Sequence, residues 1–121
     1  MIEEQPGLEV IHEACDGLEV VQACRELRPD IVLLDVCLPT LSGLEAAEQI
    51  REVSPESKIL FVSAMATQEI VREALRIGAA GYVAKADAAR DLLRAVRAAA
   101  ADQEFLSFSV LRMSEPDISR E

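Results

Sequence analysis

Ile31-Val-Leu-Leu34 and Ile59-Leu-Phe-Val62 are short, unbroken apolar runs, the first between Asp30 and Asp35, the second between Lys58 and Ser63. Neither is long enough for a helix, both are rich in β-branched residues, and neither keeps a polar side for water. They are predicted to be strands buried on both faces of a parallel sheet. Two weaker candidates accompany them. In Val10-Ile-His-Glu-Ala14 polar residues interrupt the run as at a sheet edge, and Gly81-Tyr-Val-Ala84 follows a Gly/Ala turn.

Helical periodicity fills the intervals. Val20, Val21, Cys24 and Leu27 make one apolar face, stopped by Arg28-Pro29. Leu44, Ala47 and Ile50 make a second, opened by Ser42-Gly43 and ended near Ser54-Pro55. Ile70, Val71, Ala74, Leu75 and Ile77 make a third, with Gly78 as its stop, and Leu92, Leu93, Val96 and Ala100 a fourth in an alanine-rich run. Strand and helix therefore alternate, which predicts βαβ crossovers and a doubly wound α/β sheet. After Asp102 the alternation fails: Phe105-Leu-Ser-Phe-Ser-Val-Leu111 has strand-like alternation and the remainder is polar. The expected organisation is one domain over residues 1–104 and a C-terminal tail over 105–121.

Composition narrows the function classes. Half the residues are apolar, enough for one core, and aromatics are 3%, so that core must be aliphatic. Basic residues number 12 against 22 acidic, a net charge of −10, which opposes direct nucleic-acid binding by this chain. No apolar stretch approaches the roughly 18 residues of a membrane span, and Met-Ile-Glu-Glu-Gln-Pro is no signal peptide; a cytoplasmic chain without membrane contact is expected. Cys15, Cys24 and Cys37 are an odd number without a C-x-x-C pair, which fits small buried residues better than a disulfide or zinc site.

In open parallel sheets, sites form at the carboxyl ends of strands. Asp35, Ser63 and Lys85 fall there, one after each of three predicted strands. A carboxylate, a hydroxyl and an ammonium converging on one cleft suit phosphoryl transfer onto the carboxylate. Asp35 is then the nucleophile, Lys85 neutralises growing charge, and Ser63 hydrogen-bonds a phosphoryl oxygen. The alternative from spacing alone is that Asp35 caps the following loop and Lys85 is a solvated surface cation.

The residues around Asp35 carry a resemblance. Leu33-Leu-Asp-Val-Cys-Leu-Pro-Thr-Leu-Ser-Gly-Leu44 resembles the phosphoacceptor segment of two-component response-regulator receiver domains, with Pro39 and Gly43 at the family's spacing after the aspartate. Ser63-Ala64 resembles the family's Ser/Thr-Ala step, Lys85 its lysine, and Tyr82 falls at its switch aromatic. Gly78-Ala-Ala-Gly-Tyr-Val-Ala-Lys85, followed by Asp87-Ala and a Leu-Leu-Arg-Ala helix, is similar to the subclass that carries a C-terminal helix-turn-helix DNA-binding domain. These motifs keep their order over most of residues 8–108. The resemblance implies a flavodoxin-like fold with strand order 2-1-3-4-5. It implies that Asp35 takes a phosphoryl group from a sensor histidine kinase with Mg²⁺ as charge clamp, held by Asp35 and the backbone carbonyl of Cys37. Ser63 and Tyr82 then form the switch, in phosphorelay signalling that serves transcription regulation.

The chain departs from that family at its start. A receiver opens with a strand ending in two adjacent carboxylates that hold Mg²⁺, and Met1-Ile-Glu-Glu-Gln-Pro-Gly7 resembles the end of the family's first helix instead. Four strands are recognisable and the first is missing. Glu3 and Glu4 are adjacent acids without a preceding strand, and read more simply as a solvated helix face. Two expectations follow. Mg²⁺, which demands octahedral oxygen coordination, binds weakly or not at all, and phosphorylation of Asp35 is slow or absent. The gap left by the central strand must be closed, either by Val10–Ala14 pairing with Ile31–Leu34 or by Phe105–Leu111 from its own or a neighbouring chain, the latter a strand-swapped homodimer. A mis-started or truncated fragment of a longer regulator is a plainer alternative, of equal standing with a specialised role.

Of the minor features, His12 reads as a structural residue on an edge strand, Met65 as loop packing, and Cys37 as the thiol at the cleft mouth. The leading reading is a signalling module and no enzyme: no nucleophile elbow, P-loop or metal cluster supports a hydrolase. The alternative is a non-phosphorylatable pseudo-receiver acting as a protein-interaction or dimerisation module.

Overall fold

A computed structural model describes residues 16–38 and 40–112. The expected strand Val10–Ala14, together with His12, Cys15, Glu3, Glu4 and Pro39, lies outside the described residues. The elements are α1 (Gly17–Leu27), β1 (Ile31–Leu34), α2 (Gly43–Val53), β2 (Lys58–Ser63), α3 (Gln68–Ile77), β3 (Gly81–Ala84), a 3-10 turn (Lys85–Asp87), α4 (Ala88–Ala100) and β4 (Phe105–Leu106). A further helical turn covers residues 108–112.

Local chemistry sets the boundaries. The Glu19 N–H donates to Asp16 Oδ1 (2.8 Å) and the Ile70 N–H to Thr67 Oγ1 (3.2 Å), so each helix start has one orphan donor satisfied, an effect of about 1 kcal/mol apiece. Ser42 and Glu45 form a reciprocal capping box on α2. Gly78, at φ 108°, ends α3 in the left-handed conformation that glycine adopts freely.

The described strands form one parallel sheet in the order β1-β2-β3-β4. This is the flavodoxin-like, doubly wound arrangement: β1, β2 and β3 stand side by side as the third, fourth and fifth strands of that order must. Val32, Leu34, Ile59, Phe61, Tyr82 and Ala84 join residues of α1, α2 and α3 in the larger apolar cluster. Leu60 and Val83 point the other way and pack with Ala95 and Val96 of α4. The fully buried alanines Ala46, Ala47 and Ala74 let helix backbones approach closely, which is how a core poor in aromatics closes. No helix among the described residues is long and apolar enough to cross a membrane.

Three expectations need correction. Ile31–Leu34 is not buried on both faces: Val32 and Leu34 are, but Leu33 is 41% exposed. Of the two long runs only β2 is sealed on both sides, because α4 packs over β2 and β3 and leaves Leu33 of β1 open to solvent. The faces of two helices are also slightly out of phase with the expected ones. Leu27 is 49% exposed, and α4 buries Asp91, Ala95, Val96 and Ala99 rather than Ala100. Finally, Phe105–Leu111 is not a strand throughout. Only Phe105–Leu106 pairs, with Gly81 and Tyr82 of β3, and the chain then turns helical. It occupies the outer edge of β3, not the place beside β1 where the missing strand was expected. Residues 105–112, set apart as part of a tail by the pattern, pack onto the domain, with Ser107 and Val110 fully buried.

Candidate functional site

Because β1, β2 and β3 are parallel neighbours, their carboxyl ends open on one side of the sheet. Asp35 follows β1, Ser63 closes β2 and Lys85 follows β3. The expected trio does meet there. Ser63 Oγ donates to Asp35 Oδ1 at 2.9 Å, and the Lys85 ammonium lies 3.1 Å from Asp35 Oδ2. The Cys37 N–H also donates to Oδ1, at 2.9 Å. Asp35 does cap its own loop, then, as the spacing allowed, but Lys85 is no free surface cation.

The carboxyl feels opposing influences. Partial burial raises its pKa, whereas the Cys37 N–H, the Ser63 hydroxyl and the Lys85 ammonium lower it; together they hold it below the ordinary value. Asp35 is therefore a carboxylate at neutral pH. Oδ1 carries two donors and Oδ2 one, so Oδ2 is the less saturated oxygen.

The loop after β1 is shaped by Gly43. Its N–H donates to the Val36 carbonyl at 2.8 Å, and a Cβ placed on it would lie 2.0 Å from the Asp35 carbonyl oxygen. Only glycine lets the start of α2 sit this close behind the site. Thr40, at φ 70°, holds a left-handed conformation unusual for a β-branched residue.

Ser63 is fully buried and connects the site to the loop beyond β2. Its Oγ accepts the Met65 N–H at 3.1 Å, and the Met65 carbonyl accepts the hydroxyl of Tyr82. The Tyr82 ring stacks on Phe61 with centroids 5.7 Å apart, and burial pushes the phenol up to about 12, so it stays a donor. Met65 is therefore more than loop packing: its backbone carries the connection between the two expected switch residues. The Cys37 thiol is exposed, as expected at the cleft mouth, and faces the Met65 thioether at 2.9 Å. Burial raises the other described thiol, Cys24, to about 11 and makes it inert.

Among the described residues the donor set fits Mg²⁺ in kind but not in number. Asp35 and the carbonyl of Cys37 are hard oxygen ligands, yet no group of three His, Cys, Asp or Glu side chains with metal-site spacing occurs among the described residues.

A second carboxylate cluster escaped the sequence reading. Asp87 and Asp91, one turn apart, bind Ser107, Phe108 and Ser109. Their i, i+4 spacing was visible, but nothing local indicates that a segment 20 residues on supplies the donors.

Known proteins resemble this chain over most of its length. The response regulator receiver domain profile matches residues 1–97. The chain is 38% identical over 100 residues to the uncharacterized transcriptional regulatory protein YxjL of Bacillus subtilis (strain 168), an alignment covering 83% of this chain and 46% of that protein. It thus spans about half the length of that curated relative. It is 40% identical over 79 residues to the chemotaxis protein CheY of Thermotoga maritima, covering 65% of this chain and 66% of CheY. Among solved structures, a LuxR-family two-component response regulator from Aurantimonas sp. SI85-9A1 superposes with a TM-score of 0.89 at 32% identity, over 97% of this chain and 84% of that one. A carboxylate, hydroxyl and ammonium gathered at three parallel strand ends, in a chain so matched, lead to one conclusion: the chain belongs to the family of two-component response-regulator receiver domains.

Proposed function

We propose that this receiver domain accepts a phosphoryl group on Asp35 and signals through Ser63 and Tyr82. The observation that carries this reading is the Asp35 carboxylate bridged to Ser63 at 2.9 Å and to Lys85 at 3.1 Å. In the transfer, a lone pair of Asp35 Oδ2 attacks phosphorus in line, the P–N bond of a phosphohistidine on a sensor histidine kinase breaks, and the imidazole leaves with its electron pair. Lys85 neutralises the charge on the equatorial oxygens, and the Ser63 hydroxyl turns from Oδ1 to a phosphoryl oxygen. Because Ser63 Oγ also holds the Met65 N–H, that turn moves residue 65, whose carbonyl carries Tyr82.

Asp35 and the backbone carbonyl of Cys37 are the described groups that would hold Mg²⁺, which would supply charge neutralisation for the transfer. Transcription regulation is the setting we propose, on the likeness to YxjL.

Intact-mass spectrometry after incubation with acetyl phosphate, with and without Mg²⁺, tests this reading. The expected result is a Mg²⁺-dependent gain of one phosphoryl group that Asp35→Ala abolishes. No gain under any condition would leave the pseudo-receiver reading, in which the same domain acts only as an interaction module.

A further inference from the structure

The bonds that dock residues 105–112 converge on the same short stretch that carries Tyr82 and Lys85. Ser107 is at their centre: its N–H donates to the Tyr82 carbonyl (3.1 Å), its hydroxyl donates to Asp87 Oδ2 (2.7 Å), and its Oγ accepts the Ala84 N–H (3.0 Å). Asp87 Oδ2 also accepts the Ser109 N–H at 2.8 Å and Oδ1 its hydroxyl at 2.9 Å. Asp91, 3% exposed, accepts the Phe108 N–H at 3.1 Å. Two orphan donors of the helical turn 108–112, the Phe108 and Ser109 N–H groups, are thus satisfied by carboxylates from residues 87 and 91, whose charge also suits that end of a helix. Arg90 and Arg112 sit over the ring of Phe108, 5.0 and 5.5 Å from its centroid.

Lys85 and Asp87 are the two ends of one 3-10 turn. One end reaches Asp35 and the other grips Ser107 and Ser109. Lys85 and Asp87 are two residues apart on one turn, so a restraint on the backbone of Lys85 bears on Asp87. We propose that this turn makes residues 105–112 a latch whose grip follows the negative charge at position 35. More charge there holds Lys85 more firmly, steadies the turn and tightens the carboxylate cap; less charge loosens it. The natural source of such a change rests on the phosphoacceptor reading, whereas the latch does not. By reciprocity, a tighter latch favours the charged state of the site.

Hydrogen exchange resolved to the amides of Phe108 and Ser109 tests this on the full chain, with intact mass taken from the same samples. Asp87→Ala should speed exchange at Ser109 about tenfold, the size of a lost cap. Amides of α2 should hold their rate, showing the fold intact; should they not, Ser109→Ala, which removes only the outer hydroxyl bond, replaces that variant with an expected increase of about twofold. The decisive series varies charge. Asp35→Asn should raise exchange about threefold over wild type, and acetyl-phosphate-treated wild type should lie about threefold below it, the range of one exposed ion pair. Equal rates in Asp35→Asn and wild type, or the reverse order, would overturn the latch. If the mass shows no phosphoryl group, the phosphoacceptor reading fails and the Asp35→Asn comparison still decides the latch. If the group is present and exchange does not slow, the latch fails and the phosphoacceptor stands.

Discussion

Asp35 and Asp87 stand at opposite ends of one short path through Lys85, and both carboxyls are held below their ordinary pKa. They reach that state differently. Asp35 is partly buried, which raises its pKa, and is countered by the Cys37 N–H, then the Ser63 hydroxyl and the Lys85 ammonium; it keeps an oxygen with a single partner. At Asp87 the Ser107 hydroxyl contributes most, against a smaller opposing effect of burial, followed by the Ser109 N–H and hydroxyl and last the Arg90 charge; both its oxygens are taken by hydrogen bonds from residues 107 and 109. A lowered pKa therefore does not distinguish a reactive carboxylate from a structural one; the oxygen left with a single partner does.

Removing the two carboxylates one at a time should break the pair apart. Asp35→Ala should lose phosphoryl uptake from acetyl phosphate entirely while melting close to wild type, and Asp87→Ala should still take up the group, with occupancy lowered by no more than about threefold, and lose protection of residues 108–112. Uptake that survived Asp35→Ala would erase the distinction. Lys85→Ala sharpens it: loss of one stabilising cation should slow uptake about 100-fold, and thermal melting should show a cost of no more than about 1 kcal/mol for an exposed ion pair.

A steric change comes next in size. Gly43→Ala puts a methyl 2.0 Å from the Asp35 carbonyl oxygen, so α2 or the loop must give way. We expect a destabilisation of roughly 1–3 kcal/mol, seen as a Tm lower by about 5 °C or more. An unchanged Tm would mean that the loop behind Asp35 yields freely.

The smallest effect is in acid. Both aspartates have an unfolded-chain value of 3.8 and lower folded values, so the unfolded chain takes up protons first as the pH falls. Their contribution to stability is fully present above that value and drains away as the pH falls below it through the folded values. Asp35→Asn and Asp87→Asn should each flatten the fall in Tm below about pH 4 and leave its slope near neutrality unchanged. A change in slope near neutrality would assign the pH dependence to other groups.

How much of this was legible in the sequence follows from the range of each interaction. Asp35, Ser63 and Lys85 could be placed because each ends a predicted strand, and a parallel sheet brings such ends together without further information. Tyr82 entered only through family resemblance. The role of Met65 was hidden because it rests on its backbone N–H and carbonyl, which every residue but proline has. The exposure of Leu33 was hidden too: an apolar run does not say how far the covering helix reaches. The turn at 108–112 was misread because alternation in Phe105–Leu111 looks the same in a strand. The carboxylates that cap the helical alternative come from residues 87 and 91, far outside any local window.

The most direct test of the account is chemical trapping at residue level. Wild-type chain treated with acetyl phosphate and Mg²⁺ would be quenched with hydroxylamine, which converts an acyl phosphate to a hydroxamate and leaves a phosphoserine untouched, and then mapped by peptide mass spectrometry. The account predicts a hydroxamate on Asp35 and on no other carboxylate, with Asp87 unmodified. A phosphoryl group retained on Ser63, or a hydroxamate elsewhere with none on Asp35, would contradict it.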